Sequence, residues 1–184
     1  MIIAVVGSIG SGKTLTLTLM GKQAKDKGKA VLSNYRLNFK HTLISKKQIL
    51  GYSEDSSSLN NCTLLLDEAQ TILDCRNSIK NRLLTYFILQ TRKKHVDLFY
   101  STQQFWNVEK RLRENTDMIF ECCGYYDKKK EHLKAVKINR LKYIGRNSFL
   151  PLSSIVIKNP AIIFKLYDSY EIVDFDKEEK KIKN

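Results

Sequence analysis

Ile2-Ile3-Ala4-Val5-Val6-Gly7-Ser8-Ile9-Gly10-Ser11-Gly12-Lys13-Thr14 decides how this chain is read. Ile2–Val6 form an apolar run short enough for a buried strand, and it leads straight into the spacing G-x-x-x-x-G-K-T. The residues after Thr14 read as a helix. Strand, loop and helix in that order turn the spacing into a device for holding phosphate. Glycines let the backbone curl so that successive N–H groups converge on an anion. The helix N-terminus adds its partial positive charge at the same place. Gly7, Ser8, Ile9, Gly10, Ser11, Gly12, Lys13, Thr14 and Leu15 are therefore the candidate nucleotide cradle. Lys13 is placed to reach β- and γ-phosphates, and the Thr14 hydroxyl to bind Mg²⁺. A chance glycine-rich turn is the competing reading, and the strand before and helix after weigh against it.

The chain has 184 residues, which suits one domain with a sizeable core. Its hydrophobic content of 42% is that of a globular protein. No apolar stretch is long enough to cross a bilayer, so no direct membrane span is expected, and a strand at the N-terminus is not a signal peptide. The cysteines are Cys62, Cys75, Cys122 and Cys123, with no C-x-x-C pair. That favours buried free thiols in a reducing compartment over metal or disulfide. Cys122 and Cys123 should point to opposite faces of one strand. The charge is +13, with 32 Lys and Arg against 19 Asp and Glu. Such an excess points to a polyanionic partner, nucleic acid first and an anionic membrane surface second, unless it only reflects a lysine-rich composition.

Along the chain, Leu15, Leu19, Met20 and Ala24 predict one apolar stripe on the first helix, with Gly28 as its stop. Ala30–Asn34 predicts a strand. Residues 36–61 read as polar and irregular, with a short helix at Lys46–Leu50 and an exposed loop at Ser53–Asn61. Cys62–Asp67 reads as a second apolar strand, followed by a helix bearing Ile79, Leu83, Leu84, Phe87 and Ile88 on one face. Asp97–Thr102 predicts a strand, Phe105–Arg111 a short helix and Met118–Cys122 a further strand. Strands alternating with helices imply a parallel sheet with right-handed crossovers. After Gly124 the pattern changes. Tyr125–Glu131 reads as a hairpin loop, Val136–Ile138 as a return strand, and Ser154–Lys158 and Ile162–Leu166 as extended segments. The division expected is one domain, with an α/β core at 1–123, a β-rich extension at 124–175 and a frayed charged tail at 176–184.

Leu64-Leu65-Leu66-Asp67-Glu68 is an apolar strand ending in two acids. A continuous apolar run suits a strand buried on both faces, and ligands bind at the carboxyl ends of such strands. Asp67 is the second candidate Mg²⁺ ligand, acting with Thr14. Glu68 is the candidate base that orients and deprotonates an attacking water. Without the phosphate loop these acids would read equally well as caps of the following turn. Gln103, ending the Asp97–Thr102 strand, is a candidate sensor of the γ-phosphate, ahead of Gln104. An exposed loop glutamine is the alternative.

With these residues in place, the chain resembles the FtsK–HerA superfamily of DNA-pumping ATPases. Within it, the chain is most similar to viral genome-packaging ATPases and the Zot-like proteins of filamentous phages. The matching residues are Gly7–Thr14, Ser33-Asn34-Tyr35, Leu64–Gln70, Arg76, Thr91–Lys94, Asp97–Gln103, Leu112-Arg113 and Leu166–Glu171. The resemblance implies an α/β, RecA-like P-loop NTPase fold of the ASCE type, with a mainly parallel central sheet flanked by helices and a C-terminal β-rich extension. It implies ATP and Mg²⁺ at the site and a homo-oligomeric ring, commonly a hexamer. It also implies an arginine reaching in from the neighbouring subunit, for which Arg92 and Arg76 are the candidates and Arg113 the third. DNA, double-stranded and bound without regard to sequence, and a capsid or portal-vertex protein are the implied partners. The implied location is the host cytoplasm or the virion. Zot-like proteins usually carry a membrane span after the ATPase region, and its lack here favours packaging over extrusion.

Three basic stretches could hold the polymer: Lys93-Lys94, Lys110-Arg111-Arg113 with Phe105 and Trp106 interleaved, and Lys128–Lys130. Burial in the core is the expectation for Trp106, and a solvated hairpin tip is the alternative for Lys128–Lys130. Two other functions compete with packaging. One is a virion-extrusion ATPase with the same chemistry, and the other a small-molecule kinase, against which the Asp67-Glu68 pair and Gln103 argue.

Overall fold

A computed structural model describes residues 1–45, 59–71, 91–127, 132–145 and 148–168. The expected helices at Lys46–Leu50 and around Ile79–Ile88, Cys75, Arg76, Lys128–Lys130, most of the Ser53–Asn61 loop and the charged tail lie outside the described residues.

One sheet organises the chain. Its strands are β1 (Ile2–Val6), β2 (Ala30–Ser33), β3 (Thr42–Leu43), β4 (Cys62–Leu66), β5 (Asp97–Thr102), β6 (Met118–Tyr126), β7 (Leu133–Gly145) and β8 (Ser148–Lys158). They lie side by side in the order β3-β2-β4-β5-β1-β6-β7-β8. From β3 to β6 every pairing is parallel, and β7 and β8 are antiparallel. β5 stands between β1, which leads into the glycine loop, and β4, which leads into Asp67. The expected mainly parallel α/β fold is present. β6 runs through Cys123 and Gly124 without a break, so β7 and β8 continue the core sheet.

Side chains alternate across the sheet as a strand's period of two requires. Ile3, Val5, Leu65 and Phe99 pack on the face carrying helix α1 (Lys13–Asp26). Ile2, Ala4, Leu64, Leu66, Leu98 and Tyr100 pack on the other, beneath Phe105, Val108 and Leu112. Truncating one of these fully buried leucines to alanine removes about 2–5 kcal/mol.

Helix α1 sits closer to the sheet than its stripe predicts. Leu15, Leu17, Thr16, Thr18 and Gly21 are buried, whereas Leu19, Met20 and Ala24 pack only partly. Its buried hydroxyls are satisfied: Thr16 donates to the Gly12 carbonyl at 2.9 Å, and Thr18 shares a 3.1 Å hydrogen bond with the Tyr35 hydroxyl. Gly21 permits the close approach, because a Cβ there would stand 2.5 Å from Leu65 Cδ1.

Four further expectations are corrected. Phe105–Arg111 is not one helix: a 3-10 turn at Phe105–Asn107 is broken by extended Val108, and Glu109 caps a new helix, Lys110–Glu114, by accepting from the Arg111 and Leu112 amides. Tyr125 and Tyr126 belong to β6 rather than to the hairpin loop. Ile162–Leu166 is not extended, because Pro160, with its φ of −63°, starts the short helix Ala161–Phe164. Trp106 is 38% exposed instead of buried; its ring joins those of Phe105, Tyr143 and Phe149, with Arg113 stacked 5.3 Å from its centre. Of the described thiols, Cys62 and Cys122 are buried and Cys123 is exposed, so two of the three are core groups. Cys122 and Cys123 do face opposite sides, and burial pushes the Cys122 thiol up to about 11.

After the short helix the chain meets the segment that follows β2. The Asn38 amide donates to Leu166 O at 2.8 Å, the Asn38 side chain to Lys165 O at 2.8 Å, and Leu37 bridges Tyr167.

Candidate functional site

The loop between β1 and α1 needs its glycines. Gly7, Gly10 and Gly12 have φ of 151°, 76° and 93°, values that side-chain-bearing residues rarely adopt. A Cβ on Gly10 would meet the Tyr126 hydroxyl at 2.5 Å, and one on Gly12 would meet Val136 Cγ2 at 2.6 Å. The extension therefore presses on the loop from outside. Tyr126 also donates from its hydroxyl to Gly10 O at 2.5 Å, fixing the bend. Lys13 is buried and its ammonium donates to Ser8 O at 3.0 Å.

The acids come from β4. Asp67 is buried, and its Oδ2 accepts from the Thr14 hydroxyl at 2.9 Å. Its Oδ1 accepts from the Ser101 hydroxyl at the end of β5. Burial pushes the Asp67 carboxyl above its ordinary value; the hydrogen bonds from Ser101 and Thr14 and the Lys13 charge oppose this, while the Glu68 charge adds to it. The Ser101 oxygen also accepts from the Glu68 amide at 2.9 Å, so one hydroxyl ties both acids together. The Asp67 backbone is gripped from the other side. Asn34 donates to Asp67 O at 2.9 Å and accepts from the Asp67 amide at 2.8 Å.

Glu68 has a φ of 48°, in the left-handed region, which costs a non-glycine residue of order 1–3 kcal/mol. Its carbonyl accepts from both the amide and the hydroxyl of Thr71, each at 2.9 Å, and Gln70 donates to its side chain. This strained turn aims Glu68 into a cleft of about 600 Å³. Ile9, Gly10, Gly12, Lys13, Thr14 and Leu15 line the same cleft from the loop side.

The site thus gathers Lys13, Thr14, Asp67 and Glu68 from the predicted set. Gln103 is exposed just past β5 and is not among the residues lining the cleft. Arg92 is exposed at the other end of the sheet, beside Met1, Lys29, His95 and Asp97, where β5 begins. Asn34, Ser101 and Tyr126 had no assigned role in the sequence. The signal for Ser101 and Asn34 was available: each is polar and lies at or just past the end of an apolar strand that neighbours β4.

The residues present suit a metal-bound nucleoside triphosphate. A hard cation takes oxygen ligands, and Thr14 and Asp67 present a hydroxyl and a carboxylate already in contact. The Ser11 hydroxyl is buried in the loop with no hydrogen-bond partner among the described residues, as a donor awaiting a phosphate would be. Among those residues no group of three or more His, Cys, Asp or Glu could hold a metal by itself. No helix among them is long and apolar enough to cross a membrane.

Loop, acids and strand order together define a P-loop nucleoside triphosphatase. Residues 3–123 match the ATPase family associated with various cellular activities (AAA), and the chain belongs to that family. No curated protein matches the sequence. Among solved structures, the fold is similar to the N-terminal domain of zonular occludens toxin from Neisseria meningitidis, with a TM-score of 0.63, 16% identity and coverage of 91% of this chain and 98% of that one. It is similar to the genome packaging NTPase B204 from Sulfolobus turreted icosahedral virus 2 in complex with ATP-gammaS, with a TM-score of 0.52, 14% identity and coverage of 84% and 97%. It is also similar to B204, the DNA-packaging ATPase from Sulfolobus turreted icosahedral virus, with a TM-score of 0.52, 12% identity and coverage of 84% and 97%.

Proposed function

We propose that the protein is an ATP-hydrolysing motor that moves DNA, and that its task is to drive a viral genome into a capsid. The observation that carries this reading is the acid pair: Asp67 in contact with Thr14, and Glu68 held in a strained turn facing the cleft. Mg²⁺ bound by Thr14 and Asp67 would neutralise charge on the β- and γ-phosphates. Loop amides and Lys13 orient the triphosphate. Glu68 accepts a proton from water as the water oxygen bonds to the γ-phosphorus and the bond to the β-phosphate oxygen breaks. Gln103, exposed just past β5 and outside the cleft lining, would have to turn inward on nucleotide binding to sense the γ-phosphate. Arg92 or Arg76, entering from the next subunit of a ring, stabilises the transition state.

The net charge of +13 supports a polyanionic partner held through its backbone. Likeness to a genome packaging NTPase supports packaging, with a capsid or portal-vertex protein as docking partner in the host cytoplasm. A second reading, a Zot-like ATPase of virion extrusion, is favoured by the TM-score of 0.63 to the zonular occludens toxin domain. ATPase rates with and without double-stranded DNA, read beside the mass of the assembly, test the proposal. Stimulation by DNA in an oligomer supports the motor, whereas turnover indifferent to DNA in a monomer overturns it.

A further inference from the structure

Ser8 O is the point on which the phosphate loop closes. The Ser11 amide donates to it at 3.1 Å and the Lys13 ammonium at 3.0 Å. Gly10 and Gly12 flank Ser11, at φ of 76° and 93°. Glycine takes either sign of φ, so the loop by itself fixes the direction of the Ser11 amide only weakly. A further hold comes from outside the loop. Tyr126, the last residue of β6, donates its hydroxyl to Gly10 O at 2.5 Å, across 116 positions of sequence. Gly10 O and the Ser11 N–H belong to one peptide unit, and in a trans peptide the two point in opposite directions. Fixing the carbonyl toward Tyr126 therefore fixes the amide toward Ser8 O. Gly124 makes room for this contact. It lies two residues before Tyr126, on the same face of β6. A Cβ there would stand 3.2 Å from Tyr126 Cε2, 3.2 Å from Gly10 O and 2.9 Å from Leu133 Cδ1.

We infer that Tyr126 is a positioning residue for nucleotide binding: its hydroxyl sets the direction of the Gly10–Ser11 peptide and keeps the Ser11 N–H available to a phosphate oxygen. The inference rests on the nucleotide-binding reading above and deepens it, because Tyr126 lies outside residues 3–123, the part that matches the AAA family. Tyr126 acts through the loop and needs no contact with the ligand. A Gly10–Ser11 peptide turned the other way would present its carbonyl, an acceptor, to an anion that needs donors. The hydroxyl removes that arrangement before the ligand arrives, and loss of freedom taken in advance appears as affinity. The side chain is 41% exposed, so the same hydrogen bond contributes little to the stability of the whole chain. Its effect belongs to binding first and to folding second.

The test uses the full chain and two ligands, ATP and inorganic tripolyphosphate, which has the phosphates alone. Tyr126→Phe keeps the ring and loses the hydroxyl. It should weaken both ligands by the same factor, about tenfold, with a melting temperature near that of the parent. The loss should sit in KM, with kcat at saturating ATP within about twofold. Gly124→Ala keeps the hydroxyl and displaces the ring, so it should weaken both ligands in the same way. The double variant should lose no more than the larger single loss, because both changes break one contact. Parent-like affinity in Tyr126→Phe overturns the inference, and so does a lowered melting temperature with affinity unchanged. A loss confined to ATP overturns it as well, since the effect would then not pass through the phosphate loop. Losses that multiply in the double variant place the effect outside the Tyr126–Gly10 contact. If the parent chain binds neither ligand, the nucleotide-binding reading itself fails, a result distinct from all of these.

Discussion

The Thr14 hydroxyl donates to Asp67 Oδ2 across 2.9 Å, joining the start of α1 to the end of β4 before any ligand arrives. A cation entering here exchanges one hydrogen bond for two oxygen ligands already in place. Preorganisation of this kind is most of what a phosphoryl-transfer site contributes. Asp67→Asn and Thr14→Ala should each leave the fold intact and lower Mg²⁺-dependent ATP turnover by about a hundredfold or more. Phosphate release at saturating Mg²⁺ measures the effect. Parent-like rates in both variants would remove the metal from this position.

Glu68→Gln separates binding from chemistry. The amide keeps the size and the hydrogen-bonding reach of the side chain but cannot take a proton. ATP affinity should stay within a few-fold of the parent, while hydrolysis falls by about 10²–10⁴. Calorimetric binding and single-turnover assays on the same sample are the readout, and full activity in the variant rejects the assigned base.

Asn34 and Ser101 hold the acids in place without touching the phosphates. Asn34→Ala removes both hydrogen bonds on the Asp67 backbone, and Ser101→Ala removes the hydroxyl shared by Asp67 and Glu68. Each change should cost about 1–3 kcal/mol of stability, measured by denaturant titration. Catalytic turnover should fall more than ATP affinity does, because the misaligned groups act mainly on the reacting water. An unchanged turnover would reduce both residues to ordinary supports.

Much of this site was legible before the structure. The glycine spacing, Lys13, Thr14 and the Asp67-Glu68 pair follow local rules, since a buried parallel strand and a phosphate loop each leave a contiguous signature. Asn34 and Ser101 were legible only as polar ends of strands neighbouring β4, and Tyr126 not at all in role, because their partners lie far away in sequence and meet them only once β2, β5 and β6 take their places in the sheet. The same reason hid the turn at Ala161–Phe164 and the pairing of Tyr167 with Leu37. An apolar run such as Ile162–Leu166 fits a strand as well as a buried turn, and Pro160 with the Asn38 contacts decides between them. Trp106 escaped the core because β7 and β8 are longer than their alternation suggested, bringing Tyr143 and Phe149 beside it at the surface.

Acid should weaken the fold through the other end of the sheet, where a carboxyl is held below its ordinary value. Asp97 is pulled up by burial, but hydrogen bonds and charge from Lys29 and the N-terminal ammonium outweigh this and hold its carboxyl below the ordinary value of 3.8. A folded-state value below the unfolded one means stability that is present in full above about pH 4 and is lost as pH falls through the folded value. The pair is partly exposed, so the contribution is about 1 kcal/mol or less. Asp97→Asn should therefore lower stability slightly at pH 7 and flatten its decline below pH 4. Melting curves from pH 2 to pH 7 show this, and parallel curves for both proteins would refute the assignment.

Arg92 lies at the end of the sheet opposite the Glu68 cleft of its own chain, so a catalytic role for it requires a neighbour. In a head-to-tail ring each interface pairs one subunit's acid with the next subunit's arginine. Arg92→Ala alone should then bind ATP normally and lose about 10³-fold in turnover. Mixing gives the sharper outcome. Glu68→Gln and Arg92→Ala subunits are each inactive alone, yet in an equal mixture about a quarter of the interfaces join an intact Glu68 to an intact Arg92. ATPase activity should reappear on mixing, to a fraction of that order. A mixture as inactive as its components, in assemblies shown by mass to contain both chains, would exclude Arg92 and leave Arg76 as the candidate to test in the same way.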